Sequence, residues 1–193
     1  MKKSTLLVVF VLASYFTYGQ NGIGYMRASN AITSVYGSAV SAPMPSLYFS
    51  AGVLSENGLF AEAIIGDQTF QYSHSTYRMS LLGAALGYQL DLRSFGLRLA
   101  ANADVRIGGQ QEYQGVPYGL SVNPLDISLH PQVFTVLFAG TSQIDLSFGY
   151  KMGLLNLDGS DLIPNKIGAF TMSIGLSFGE VQLTDYSSQT LSP

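Results

Sequence analysis

The sequence predicts an all-β fold: a closed, eight-stranded, antiparallel, up-and-down transmembrane β-barrel. Three observations predict it. Eight segments can be drawn in which apolar side chains alternate with small or polar ones, the period of two that belongs to strands. The connections between them alternate short and long, as in barrels with tight turns on one side of a membrane and longer loops on the other. Finally, the chain is 47% hydrophobic and only 11% charged, against about 25% charged in ordinary soluble domains. Yet past the first twenty residues no segment runs the roughly 18 apolar residues that a spanning helix needs. The competing reading is a soluble β protein with an unusually bland surface.

Residues 1–19 read as a secretory signal. Lys2 and Lys3 form the positive start, Leu6 to Phe16 an apolar stretch too short for an anchor, and Gly19 a small residue for cleavage. A cut before Gln20 resembles the leaders of exported Bacteroidota proteins. Residues 20–180 are then the barrel, one domain, and 181–193 a polar tail. The absence of cysteine excludes disulfides, a lipid-modified cysteine, thiolate metal sites and cysteine nucleophiles. A net charge of −3 gives no basic field, so no nucleic-acid partner is expected.

Segment one is expected over 22–30, followed by a loop over 31–45 that carries Pro43 and Pro45, which cannot donate to a ladder. Segment two, 46–55, sets Leu47, Phe49, Ala51 and Val53 on one face and closes on the turn Glu56-Asn57-Gly58. Segment three, 59–72, alternates Leu59, Ala61, Ala63 and Ile65 with Phe60, Glu62, Ile64 and Gly66. A modest connection at 73–76 leads to segment four, 77–92, with Leu82, Ala84, Leu86, Tyr88 and Leu90 on one side. Segment five is the clearest. Phe95 through Ile107 places every odd residue apolar, against Gly96, Arg98, Ala100, Asn102, Asp104, Arg106 and Gly108. A long polar connection follows over 109–123. Segment six, 125–139, is interrupted by Pro131, which predicts a bulge or a start nearer Gln132. Segment seven opposes Ile144, Leu146, Phe148, Tyr150 and Met152 to Asp145, Ser147, Gly149 and Lys151; segment eight opposes Phe170, Met172, Ile174, Leu176 and Phe178 to Thr171, Ser173, Gly175 and Ser177.

Period two fits a soluble barrel as well as a membrane barrel, so facing decides. The small-residue faces would make poor water-facing strands, which usually carry Lys, Glu and Thr. They suit the lumen of an eight-stranded barrel, just wide enough for side chains to fill. The bulky faces then meet lipid. Aromatic girdles are expected from Phe60, Tyr88, Phe95, Phe138 and Phe178 at one interface and Phe70, Tyr72, Tyr77, Tyr150 and Phe170 at the other.

In strand number, loop asymmetry and facing the chain resembles the small outer-membrane β-barrel proteins, the group that includes the OmpX-like and OmpA-like barrels. Ser173-Ile174-Gly175-Leu176-Ser177-Phe178 resembles part of the C-terminal recognition signal of such barrels, although here the chain continues to Pro193. The resemblance implies export to the outer membrane and contact with its lipid and lipopolysaccharide.

Glu62, Asp91, Arg98, Asp104, Arg106, Asp145 and Lys151 fall on the predicted lumen face. Buried charges persist only when paired, so these residues predict a salt-bridged plug; an ion path with Arg98 and Arg106 setting selectivity is the alternative. His74 beside Ser73 and Ser75 raises the possibility of a lipid A deacylase or acyltransferase, with Glu112 as the acid. Strand neighbours point to opposite faces, however, so neither serine pairs easily with it. His130 before Pro131 reads as a local turn feature. Asp158, Gly159 and Asp161 lack the further oxygen ligands of a calcium loop. No catalytic residue, cofactor or metal is expected. The expected role is structural, or interaction and adhesion through loops 31–45, 109–123 and 155–166, with Tyr113 and Tyr118 as contacts. A lipid A enzyme and a soluble barrel binding an apolar ligand are the alternatives.

Overall fold

A computed structural model of the chain describes residues 23–37, 41–72, 74–92, 95–119, 122–139, 142–157 and 165–178. The predicted leader, the tail at 181–193, and Asp158, Gly159 and Asp161 lie outside the described residues. Nine strands follow in order: β1 (Ile23–Tyr36), β2 (Met44–Leu54), β3 (Leu59–Tyr72), β4 (Ser75–Leu92), β5 (Phe95–Tyr113), β6 (Val116–Tyr118), β7 (Leu125–Ala139), β8 (Ser142–Gly153) and β9 (Lys166–Phe178). All pairings are antiparallel. Eight of the strands close into a ring: β4 pairs β5, and β1 pairs β9, first strand to last. The short β6 lies outside the ring, on β5 alone.

The register makes the barrel sheared. From Asn30 the ladder leads through Leu47, Asp67 and Ser80 to Gly108 in one direction. In the other it leads through Met172, Phe148 and Val133 to Leu97. The distance between Leu97 and Gly108 along one strand is the stagger that tilts the strands by about 35–45° and sets the diameter.

Alternation decides what faces where. Leu97, Leu99, Val105 and Ile107 of β5 stand exposed on the outside, while Arg98, Ala100, Asn102, Asp104 and Arg106 between them are buried. The same split holds on β4, where Leu86 is 68% exposed and Ala85 2%, and on β9, where Met172 is 67% exposed and Thr171 3%. The bulky apolar faces therefore form an outer belt. It ends on β3 and β4 at Asp67 and Ser80, whose side chains bond at 2.8 Å on the outer wall.

Several elements run differently from the sequence expectation. β1 continues to Tyr36 and β2 starts at Met44, so the first loop is far shorter than 31–45. Pro45 sits inside β2, opposite Ile32. The β2–β3 ladder begins only at Leu47, and above it the Ser46 hydroxyl takes over, accepting from Thr69 N (2.9 Å) and donating to Thr69 O (3.2 Å). Pro131 makes no bulge. β7 pairs β5 straight through it, and only the ladder to β8 skips His130 and Pro131, with register unchanged. The connection after β3 is a two-residue turn, since Tyr72 pairs Ser75.

The expected polar loop at 109–123 is largely strand. β5 continues to Tyr113 and turns back into β6 through Gln114-Gly115, with φ of 49° and 80°. Two successive positive φ values make the primed turn that suits hairpins. β3, β4, β5 and β6 thus stand beyond the barrel as a ribbon.

Candidate functional site

The barrel interior holds two charged clusters with a neutral layer between them, capped by apolar residues. The inner cluster combines Arg27 of β1, Glu62 of β3, Arg98 of β5 and Asp145 of β8. Arg27 meets Glu62 at 3.2 Å and Asp145 at 3.8 Å; Arg98 Nη2 meets Asp145 at 2.9 Å. Glu62 also accepts from the Tyr25 hydroxyl (3.1 Å) and the Ser50 hydroxyl (3.2 Å). Arg98 donates further to Gln89 and Gln132. Its guanidinium lies between two rings, 4.6 Å from the centroid of Phe134 and 5.7 Å from that of Phe60.

Glycine makes that sandwich possible. A Cβ on Gly96 would stand 2.1 Å from Phe134, and one on Gly87 would stand 2.5 Å from Phe60. The tip of each ring lies over the bare backbone of a neighbouring strand.

Above this, His130 shares a 2.8 Å hydrogen bond with Thr171 and contacts Gln132 at 3.0 Å, and Asn102 donates to Ser128 at 3.3 Å. The outer cluster follows: Lys151 pairs with Asp104, and Arg106 with Asp126 at 3.7 Å. Each cluster contains two bases and two acids and is electroneutral, the arrangement that makes buried ions tolerable. Val35, Phe70, Tyr77, Met79, Leu157 and Ile167 then close the mouth from which the β3–β6 ribbon extends, with Phe70 stacked on Tyr77 at 5.0 Å. Tyr25, Phe60, Ala85 and Ala100 cluster toward the other end. Two cavities within the barrel measure about 40 and 30 Å³, room for a few waters.

Six of the seven residues assigned to the lumen lie there: Glu62, Arg98, Asp104, Arg106, Asp145 and Lys151 are all buried. Asp91 does not. It is exposed near the end of β4, beyond the packed interior, and accepts from Gln89 at 3.1 Å. Arg27 and Asp126 were missed, as was His130, which points inward from β7 and not into a turn. Asp126 and His130 were legible, since Leu125, Ile127 and Leu129 alternate with them. Arg27 falls within the expected segment 22–30, but a tyrosine on its inward face and an asparagine on its outward face blur the alternation there.

The aromatic girdles need the same correction. Tyr88, Phe95 and Phe170 are exposed on the belt, but Phe60, Phe70 and Tyr77 are buried inside. Parity places them: Phe60 is in phase with Glu62, and Phe70 with Gln68. The side chains of Phe138 and Phe178 lie outside the described residues.

His74 is exposed at the β3–β4 turn with φ 67°, a left-handed conformation that histidine adopts more readily than most residues. The buried Ser75 hydroxyl accepts from Gln111 at 3.3 Å, Glu112 lies opposite Thr76, and Ser73 lies outside the described residues.

Tyr113 and Tyr118 stand on the ribbon. A register shift between Ser80 and Leu81 places Ile107 as an extra residue on β5. A bulge of this kind re-aims every side chain beyond it. Tyr113 therefore pairs Ser75 and Val116, and Gln111 pairs Tyr77 and Tyr118. Directly paired residues share a face, so Tyr113, Val116 and Tyr118 lie on the lumen-side face, above the barrel mouth. They are 40%, 51% and 55% exposed.

No protein-family model matches the sequence, and no curated protein matches it. Solved structures do. Neisserial surface protein A superposes with a TM-score of 0.57 at 16% identity, covering 80% of this chain and 97% of that one. Ail, the attachment invasion locus protein of Yersinia pestis, gives a TM-score of 0.48 at 13% identity over 82% of this chain and 100% of that one. The outer membrane protein AlkL gives 0.41 at 12% identity over 84% and 93%. The first likeness shows that this chain has the fold of a small outer-membrane barrel.

Proposed function

We propose that the protein is a non-enzymatic, non-conducting barrel of the outer membrane that presents an aromatic surface for interaction or adhesion. The observation that carries this reading is the exposed face of Tyr113, Val116 and Tyr118, held on a hydrogen-bonded ribbon above a mouth closed by Phe70 and Leu157. A rigid scaffold that lifts exposed aromatics clear of its core suits recognition. The belt of Leu86, Leu97, Ile174 and their neighbours supports a membrane location. Arg78 and Lys166 stand at its external rim, where lipopolysaccharide phosphates would lie. The packed interior supports a closed lumen over an ion path, and Ser75 bonded to Gln111 favours a solvated His74 over a catalytic one.

The test displays the protein on vesicles and probes an array of glycans and extracellular proteins. Capture that disappears in Tyr113→Ser/Tyr118→Ser supports the reading. Equal capture by both removes Tyr113 and Tyr118 from the binding surface, and none by either leaves a structural role.

A further inference from the structure

Within the edge marked by Asp67 and Ser80, the described outer wall carries one amide among its apolar side chains. On β1 the outward positions run Met26, Ala28, Asn30, Ile32, alternating with the inward Tyr25, Arg27, Ala31 and Thr33. Asn30 is exposed. Its cross-strand neighbours are Leu47 on β2 and Met172 on β9, both on the outer belt. It is the one amide among the described residues of that belt, and its side chain has no hydrogen-bond partner among them.

Its depth matters. Going up the same strand, Tyr36 pairs Lys166 at the external end, where a tyrosine hydroxyl and an ammonium suit the interface. Going down, Gly24 pairs Phe178 at the other end. Asn30 stands midway along β1, two ladder steps from Asp67, where the belt ends on β3. The acyl chains beside it offer neither donor nor acceptor. An amide left unpaired in such surroundings is costly, and a polar group brought in by protein removes that cost.

We infer that the β9–β1–β2 face is a homodimer interface, with Asn30 of two copies paired across a two-fold axis normal to the membrane. On such an axis a residue meets itself. A carboxamide is suited to this because it carries both donor and acceptor, so two copies satisfy each other reciprocally. Asn30 lines one end of a hollow of about 740 Å³ that runs from Leu47 past Met172, Ile174 and Phe148 to Val133 and Phe95. The exposed Ile32 stands two residues along β1 from Asn30 and the exposed Phe49 opposite Ala28 on β2, and the two-fold sets the partner's copies of these side chains against the same face. A polar side chain that fixes register within an apolar contact is the role known for interhelical amides in membranes. This inference rests on the membrane placement proposed above.

The chain has no cysteine, so a single engineered one reports cleanly. Ala28→Cys keeps Asn30 and sits next to it on the outward face; Leu86→Cys on β4 is equally lipid-facing but on another wall. Both are reconstituted into phospholipid vesicles at high lipid-to-protein ratio and treated with a short thiol-to-thiol cross-linker. Ala28→Cys is expected to give a dimer band well above that of Leu86→Cys, and Ala28→Cys/Asn30→Leu to weaken dimerisation by about tenfold. Heat-modifiable mobility confirms that each variant is folded. Equal cross-linking at the two sites overturns the interface. Undiminished cross-linking in the Asn30→Leu background overturns the role of the amide. Failure of the membrane reading shows separately, as release of every variant from the vesicles by alkaline carbonate.

Discussion

Arg98 donates from Nη2 to Asp145 at 2.9 Å, joining β5 to β8 across the barrel interior. Both side chains are more than nine-tenths buried, so neither has water to fall back on. Removing one partner of a buried pair strands the other, at a cost of about 3–5 kcal/mol. Asp145→Ala is therefore expected to lower the urea midpoint of detergent-folded protein sharply. Arg98→Met/Asp145→Ala should lose less than the two single changes summed, because two apolar groups leave less charge stranded. Arg27, 3.8 Å from Asp145, keeps Glu62 at 3.2 Å, so Arg98 is the residue that Asp145→Ala strands.

Gly96→Ala places a Cβ inside the Phe134 ring, whereas Gly108 has open space around it. The first change is expected to destabilise by about 1–3 kcal/mol through overpacking, and Gly108→Ala to stay within about 0.5 kcal/mol. Thermal shift of the unboiled gel band compares the two. Similar values would mean that Phe134 does not lie across Gly96.

The strand pattern was legible wherever apolar and polar residues alternated without interruption. Phe95 to Ile107 announces both its conformation and its inward charges. The rest was lost for identifiable reasons. Pro45 and Pro131 read as breaks because the missing donor was taken to end the strand, but each costs only one side of the ladder. Gln114-Gly115 lacks the Asn or Asp that usually marks a primed turn, so β6 was read as loop. The expected girdles place Phe60, Phe70 and Tyr77 at the interfaces, whereas parity along their strands puts them inside. The extra residue at Ile107 reverses the facing of β5, and nothing in a single sequence announces a bulge.

The apolar cap over the ribbon-side mouth should matter for stability more than for permeability. Phe70 is fully buried and stacked on Tyr77. Phe70→Ala is expected to cost about 3–5 kcal/mol, while conductance in planar bilayers stays at baseline for wild type and variant alike, since the ion clusters beneath still fill the lumen. Discrete channel openings in the wild type would contradict a closed interior.

Tyr113→Ser/Tyr118→Ser should leave the unfolding midpoint within about 0.5 kcal/mol of wild type, because both rings are substantially exposed on the ribbon. A large loss of stability would show them to be packing residues and not a presented surface.

Side-chain direction along β5 tests the account most directly. Cysteines placed singly from 97 to 106 in the cysteine-free chain, spin-labelled in bilayers, report access to oxygen, which concentrates in hydrocarbon, against a water-soluble nickel complex. Labels at 97, 99, 101, 103 and 105 are expected to show high oxygen access, and those at 98, 100, 102, 104 and 106 low access to both. The opposite phase, or no alternation, would contradict a barrel that turns its leucines to lipid and its ion pairs inward.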